Sequence, residues 1–139
     1  MKILVCISSV PDTTTKITFA AGNTKFNTAG VQYVINPYDE FGLSRAMQLK
    51  ETLGGTITTI TIGRADTEPV IRKALAIGAD DSVRVDADPT DSFQVASEIA
   101  AYAKDKGFDL IITGRESIDY NGGAVPGMVA ELLGINSVS

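Results

Sequence analysis

The sequence predicts an α/β fold of three layers, with a mainly parallel sheet, helices on both faces and a small hairpin insertion. Two observations support this fold class. Short apolar or β-branched segments alternate with segments of helical periodicity, in the order strand, helix, repeated four times. Such an order requires right-handed crossovers and a parallel sheet. The first segment, residues 3–7, is also continuously apolar, as expected for a strand covered on both faces.

Four segments have the composition of sheet strands, namely residues 3–7, 56–62, 82–85 and 108–113. The third of them keeps one face polar, which is typical of an edge strand. Residues 8–15 are interpreted as a polar loop.

The predicted hairpin lies between the first strand and the first helix. It joins residues 17–19 to residues 24–26 through a turn at Gly22 and Asn23. A short strand at residues 31–35 leads into the helix.

Four helices are expected from start and stop signals. The first has Asn36 as N-cap, Pro37 at the first helical position and Asp39 near the positive end of the helix dipole. The others begin near Asp66, at Thr90 or Asp91, and at Val125. Glycines end the first three, namely Gly54, Gly78 and Gly107.

Composition excludes several kinds of protein. The 139 residues fit one domain, residues 1–139, and the net charge of −5 with scattered cations argues against binding to nucleic acid or to an anionic membrane. The single Cys6 excludes an internal disulfide, and the absence of histidine excludes histidine-dependent catalysis and metal binding. The N-terminal apolar run is too short for a signal peptide or membrane span, so a cytoplasmic protein is expected.

A ligand site is expected where the parallel strands end, because ligands of open α/β sheets bind at the carboxyl edge. Four segments reach that edge, namely residues 6–12, 36–39, 62–66 and 114–125. Each of the first three has a purely structural interpretation, since Cys6 suits a core, residues 36–39 suit a helix cap and Gly63 suits a strand end.

The fourth segment is too long for a minimal connection between strand and helix, and such loops tend to be functional. Gly122 and Gly123 precede a helix whose backbone N–H groups could hold a phosphate, and Ser117 could donate a further hydrogen bond. A mobile surface loop remains the alternative. No GxGxxG follows the first strand and no P-loop is present, so the residues themselves indicate only a nucleotide-binding α/β domain without evident catalytic groups.

Four blocks resemble the electron transfer flavoprotein β subunits. They are residues 4–12 (LVCISSVPD), 35–41 (INPYDEF) with Leu49-Lys50-Glu51, 71–80 (IRKALAIGAD) and 109–119 (DLIITGRESID). The resemblance covers the whole chain but about the N-terminal half of a family member, so the segment that docks onto redox partners is expected to be absent. Family members usually have a lysine where Ser8 or Ser9 stands, and this chain lacks it. After Asp119 they usually have a polar Asn or Gln ahead of a Thr or Val, whereas residues 120–125 here are YNGGAV.

The resemblance implies a subunit with no catalytic residues of its own, which binds AMP, or a second FAD in electron-bifurcating members. It implies pairing with an α subunit that holds or shares FAD, and electron transfer from dehydrogenases to an acceptor oxidoreductase. The cofactor-binding residues that it implies are Cys6, Asn36, Pro37, Tyr38, Asp39, Ile62, Gly63, Gly114, Arg115, Ser117, Ile118, Asp119, Gly122, Gly123, Ala124 and Val125.

Two other functions fit the same fold class. A stand-alone ATP- or AMP-binding protein resembling the universal stress proteins would favour a G-x-x-G run followed by Ser or Thr, which residues 114–123 match poorly. A nucleotidyl-transferring enzyme would need a Ser-Gly-Gly-x-Asp-Ser loop after the first strand, and residues 8–12 do not supply it.

Overall fold

A four-stranded parallel sheet forms the centre of the computed structural model, which describes every residue from Met1 to Ser139. The strands are β1 (Lys2–Cys6), β2 (Ser9–Pro11), β3 (Phe19–Ala20), β4 (Lys25–Phe26), β5 (Tyr33–Ile35), β6 (Thr56–Ile62), β7 (Asp81–Val85) and β8 (Leu110–Ile112). The helices are α1 (Pro37–Leu53), α2 (Glu68–Ile77), α3 (Ser92–Ala103) and α4 (Val125–Leu133), with a 3₁₀ turn at Ala65–Thr67. The central sheet has the order β7-β6-β1-β8.

Two hydrophobic clusters hold the helices against opposite faces of this sheet. Alternate residues of β1 point to opposite sides, so Ile3 and Val5 pack with α1 and α2, whereas Leu4 and Cys6 pack with α3 and α4. The predicted three-layer fold is therefore confirmed. The continuous apolar run of the first strand follows from burial on both faces.

The polar loop predicted at residues 8–15 was partly wrong. Residues 9–11 form β2, which pairs antiparallel with β5 through Val10 opposite Val34. Three residues are too few for an alternating pattern to be recognised, and the pairing partner lies more than twenty residues further along the chain.

The predicted end of the third helix at Gly107 was also wrong. The helix ends at Ala103, and Asp105 then adopts a positive φ of 60°. Its start is as expected, since the Asp91 side chain accepts a hydrogen bond from the backbone N–H of Gln94 at 2.8 Å. Strand β7 lies at a sheet edge, as its polar face predicts.

Replacing Thr61 by valine is expected to raise the free energy of unfolding by about 1 kcal/mol, since a buried hydroxyl without a partner costs roughly this much. The Thr61 hydroxyl is buried in β6 and has no hydrogen-bond partner. Chemical denaturation of the purified variant measures the change.

The same substitution at Thr59 provides the control. The Thr59 hydroxyl donates to Oγ of Ser82 at 2.7 Å, so valine there is expected to lower stability by about 1 kcal/mol. A destabilised Thr61→Val variant would show that its hydroxyl has a partner in solution.

Candidate functional site

A cleft of about 720 Å³ opens at the carboxyl edge of the parallel sheet. The segments that follow β1, β6, β7 and β8 surround it, together with the start of α1. This is the position that the fold class predicts for a ligand, and the volume lies within the range of small-molecule sites.

The interior of the cleft is apolar and its rim is polar. Side chains of the sheet and of α3 line the interior, among them Ile60, Ile62 and Ile99. The polar lining includes the buried amide of Asn36 and the hydroxyl groups of Ser8, Ser9, Thr67, Thr90, Ser92, Thr113 and Ser117. A lining that combines apolar side chains with many polar groups suits a ligand that has both a flat ring and hydroxyl or phosphate groups.

Asp39 joins three of the segments that form the cleft. Its Oδ2 accepts hydrogen bonds from the backbone N–H of Ser8 at 2.8 Å and from the Ser8 hydroxyl at 2.5 Å. Its Oδ1 accepts from the backbone N–H of Gly114 at 3.0 Å. The carboxylate thus connects the start of α1 to the chain that leaves β1 and to the chain that leaves β8.

Asn36 makes a second connection of the same kind, and its position as the N-cap of α1 is as predicted. The residue occupies the N-cap position, but its side chain makes no capping hydrogen bond. Its Nδ2 instead donates to the carbonyl of Glu116 at 2.9 Å, and its Oδ1 accepts from the backbone N–H of Ile118 at 3.3 Å. The buried amide therefore fastens the loop after β8 to the start of α1.

The loop after β8 is also bonded within itself. The backbone N–H of Ser117 donates to the carbonyl of Gly122 at 2.9 Å, and the Ser117 hydroxyl donates to the carboxylate of Asp119. A side chain at Gly122 would collide with the ring of Tyr120, so only glycine fits there without a shift. These contacts, together with Asn36 and Asp39, favour a shaped loop over the mobile one considered from the sequence.

The structure brings most of the predicted site residues together. Those that line the cleft are Cys6, Asn36, Asp39, Ile62, Gly63, Gly114, Ser117, Asp119, Gly122 and Val125. Those that do not line it are Pro37, Tyr38, Arg115, Ile118, Gly123 and Ala124. The Arg115 guanidinium instead stacks over the Tyr38 ring at 5.3 Å, outside the cleft. Binding by either group stays a prediction.

One wall of the cleft was missed by sequence reasoning. Residues 88–91, between β7 and α3, line it together with Ser92, the first residue of α3. The signal was available, because this segment also follows the carboxyl end of a predicted parallel strand. Its short, polar composition suggested only a helix start.

The charge of the cleft is predominantly negative. Its only cationic side chain is that of Arg64, which pairs with Asp88 at 2.6 Å. The lining carboxylates are those of Asp39, Asp66, Asp88, Asp91, Glu116 and Asp119. Burial, reinforced by the charge of Asp39, raises the pKa of the Cys6 thiol, so Cys6 remains a neutral thiol at neutral pH.

Asp39 is expected to make folding less favourable as the pH rises. Burial raises the pKa of Asp39 above its ordinary value of 3.8, outweighing the hydrogen bonds from Ser8 that lower it. The folded chain thus holds this proton more tightly than the unfolded chain, and the resulting stability is lost as pH rises through the raised pKa. Relative to Asp39→Asn, the unmodified chain should lose stability from about pH 4 upward, as measured by denaturation at a series of pH values.

Asp80 supplies a control, because its pKa is shifted in the opposite direction to that of Asp39. Hydrogen bonds from the Lys50 ammonium and from the backbone N–H of Ile57 lower the pKa of Asp80. The ionised Asp80 carboxylate therefore adds to the free energy of unfolding above its ordinary pKa, and this stability is lost as the pH falls. Asp80→Asn should consequently reduce stability most above about pH 4. Equal pH profiles for the two variants would contradict the assignment.

The fold and the cleft define a class of protein: an α/β domain with a cleft at the carboxyl edge of a parallel sheet. Comparison with known families narrows this class. The electron transfer flavoprotein domain matches residues 23–139. The chain therefore belongs to the electron transfer flavoprotein domain family.

Curated relatives are similar over nearly the whole chain. Electron transfer flavoprotein subunit beta of Bacillus subtilis (strain 168) is 38% identical, over 100% of this chain and 55% of the relative. Protein FixA of Azotobacter vinelandii is 36% identical, over 95% of this chain and 50% of the relative. The acryloyl-CoA reductase electron transfer subunit gamma of Anaerotignum propionicum is 34% identical, over 100% and 54% respectively. The chain thus spans about half the length of the curated relatives it matches.

No helix in the structure combines the length and the apolar character that crossing a bilayer requires.

Proposed function

We propose that this chain is the nucleotide-binding part of a β-type subunit of a heterodimeric electron transfer flavoprotein. The subunit would pass electrons between dehydrogenases and an acceptor oxidoreductase by way of FAD, in the cytoplasm. The observation that carries this proposal is the family match over residues 23–139. The names of the relatives add support, since two of the three compared above are named as electron transfer subunits.

The proposed ligand of the cleft is AMP, with the AMP portion of a second FAD as the variant expected in an electron-bifurcating assembly. The adenine ring would lie against the apolar interior that Ile60 and Ile99 help to form. The ribose and phosphate would face the N-terminus of α4, which offers backbone N–H donors. The Ser117 hydroxyl would join them by exchanging its bond to Asp119 for one to the phosphate. FAD held mainly by the partner subunit would supply the electron-transfer chemistry when bound.

The charge of the cleft favours a ligand with few phosphates. A phosphate monoester already brings about −1.5 to −2 charges at neutral pH, and each further phosphate adds repulsion from the lining carboxylates. Arg64, the only lining cation, is already paired with Asp88. This argues for AMP, or for a diphosphate neutralised elsewhere in an assembly, over ATP.

The alternative function, a stand-alone ATP-binding protein of the stress type, has less support. The family match and the names of two curated relatives point to electron transfer. The acidic cleft adds a physical argument against a triphosphate ligand.

Co-expression of the full-length protein with the product of its neighbouring gene tests the proposal. We expect a yellow heterodimer, and extraction of its nucleotides should release FAD and AMP in equal amounts. Two FAD per heterodimer would show the bifurcating variant. A colourless homodimer that retains ATP would contradict the proposal and favour the alternative.

A further inference from the structure

A hairpin formed by residues 12–32 projects from the domain and is called here the projecting hairpin. It extends the β2–β5 pair, since the backbone N–H of Asp12 donates to the carbonyl of Gln32 at 2.8 Å. Its outer part is the β3–β4 pair, with Phe19 opposite Phe26. This pair is a separate two-stranded sheet with no third strand beside it.

Large apolar side chains lie exposed on the projecting hairpin. Ile17 is 70% exposed and Phe19 is 59% exposed. Residues directly opposite each other in paired strands share a face, so Phe19 and Phe26 lie on one face of the β3–β4 pair, and Ile17 lies two residues before Phe19. A two-stranded hairpin is marginal by itself, and clustered exposed apolar groups mark an interaction surface.

The charge of this region is opposite to that of the rest of the chain. Lys16 and Lys25 are the only charged side chains from residue 13 to residue 38, and both are exposed. Sixteen of the 17 carboxylates lie on residues after 38 and the remaining one is Asp12, at the base of the hairpin. In a chain of net charge −5, the outer hairpin is therefore a positive apolar projection.

We propose that the projecting hairpin docks onto the second subunit of the heterodimer, in an apolar recess rimmed by carboxylates; this rests on the proposed function. Ile17 and Phe19 would fill the recess, and the two lysines would face the acidic rim. Rim charges of this kind steer association and make it depend on salt, whereas buried apolar residues carry most of the affinity. A homodimer in which two such hairpins face each other is disfavoured, because it would bring like charges together.

The test uses the full-length protein and its flavin-carrying partner, with binding measured by surface plasmon resonance. The double variant Ile17→Ser/Phe19→Ser should weaken the heterodimer at least about tenfold, as loss of central interface residues does. Lys16→Glu/Lys25→Glu should slow association and make it faster as the salt concentration rises, because salt screens the new repulsion from the acidic rim. Nucleotide content and the melting temperature should stay unchanged in both, since all four side chains are exposed and outside the cleft.

Leu53→Ser is the matched control, because Leu53 is also 59% exposed but lies at the far end of α1. It should bind the partner like the unmodified protein. A heterodimer of unchanged affinity in the hairpin variants would overturn the docking proposal while leaving the proposed function intact. Failure of the unmodified protein to form a heterodimer would overturn both, and a homodimer disrupted by the hairpin variants would assign the surface to a second copy instead.

Discussion

Replacing Gly114 by alanine is expected to destabilise the fold by about 3 kcal/mol or more and to abolish nucleotide retention. The added Cβ would overlap Oδ1 of Asp39 and lie 2.9 Å from the Asp39 backbone nitrogen and 3.0 Å from the carbonyl carbon of Tyr38. Two of these neighbours are backbone atoms of α1, which cannot move aside alone. Overpacking of this kind costs about 1–3 kcal/mol, and loss of the hydrogen bond from Gly114 to Asp39 adds about 1.5–3 kcal/mol.

Chemical denaturation and nucleotide extraction measure the two effects. Gly127→Ala is the control, because nothing lies within 4 Å of a Cβ at that position in α4. Alanine there should stabilise the helix by up to about 1 kcal/mol and leave nucleotide content unchanged. A Gly114→Ala variant as stable as the unmodified chain would show that the loop after β8 is not held against α1 in solution.

Replacing Gly123 by glutamate is expected to abolish nucleotide retention while leaving the fold intact. Gly123 is exposed beside Gly122, which lines the cleft, and a Cβ there meets its nearest neighbour, the carbonyl oxygen of Arg115, at an ordinary 3.4 Å. The new carboxylate would stand at the N-terminus of α4, where we place the phosphate. Two like charges about 4 Å apart repel by roughly 4 kcal/mol near a protein surface, which corresponds to a loss of about three orders of magnitude in affinity.

The matched control places the same charge at Gly127, one helical turn further along the chain than Gly123. Gly127→Glu adds a carboxylate at an exposed, open position of α4 that does not line the cleft. Its nucleotide content should equal that of the unmodified protein. Unchanged content in Gly123→Glu as well would remove the turn at Gly122 and Gly123 from the site.

Local chemistry explains which parts of the fold were predictable. The strand at residues 56–62 is β-branched and apolar, and the cap at Asp91 needs only a short side chain next to a free N–H, so both could be identified without distant contacts. Strand β2 could not, because it exists only through its pairing with β5. The end of α3 was also not predictable from Gly107, because the helix stops at Ala103 and the chain turns at Asp105.

The candidate site, like the fold, could be predicted from the sequence only in part. The rule that ligands bind at the carboxyl edge of a parallel sheet placed residues such as Cys6, Gly63 and Gly114 at one cleft. The sequence does not reveal that the side chain of Asn36, at the N-cap position of α1, bonds to the loop after β8 and not to the helix. That choice depends on a carbonyl eighty residues away, which only folding brings within reach.

The sequence by itself determined the fold class, the strand at the sheet edge and the edge of the sheet at which the cleft lies, because periodicity and turn chemistry act over neighbouring residues. The tertiary structure decided the rest. It showed that Asp39 joins Ser8 to Gly114, that residues 88–92 complete an acidic cleft and that the projecting hairpin stands apart with its apolar face exposed. These features arise from groups far apart in the chain, whose hydrogen bonds and charges act on one another only once the sheet has assembled.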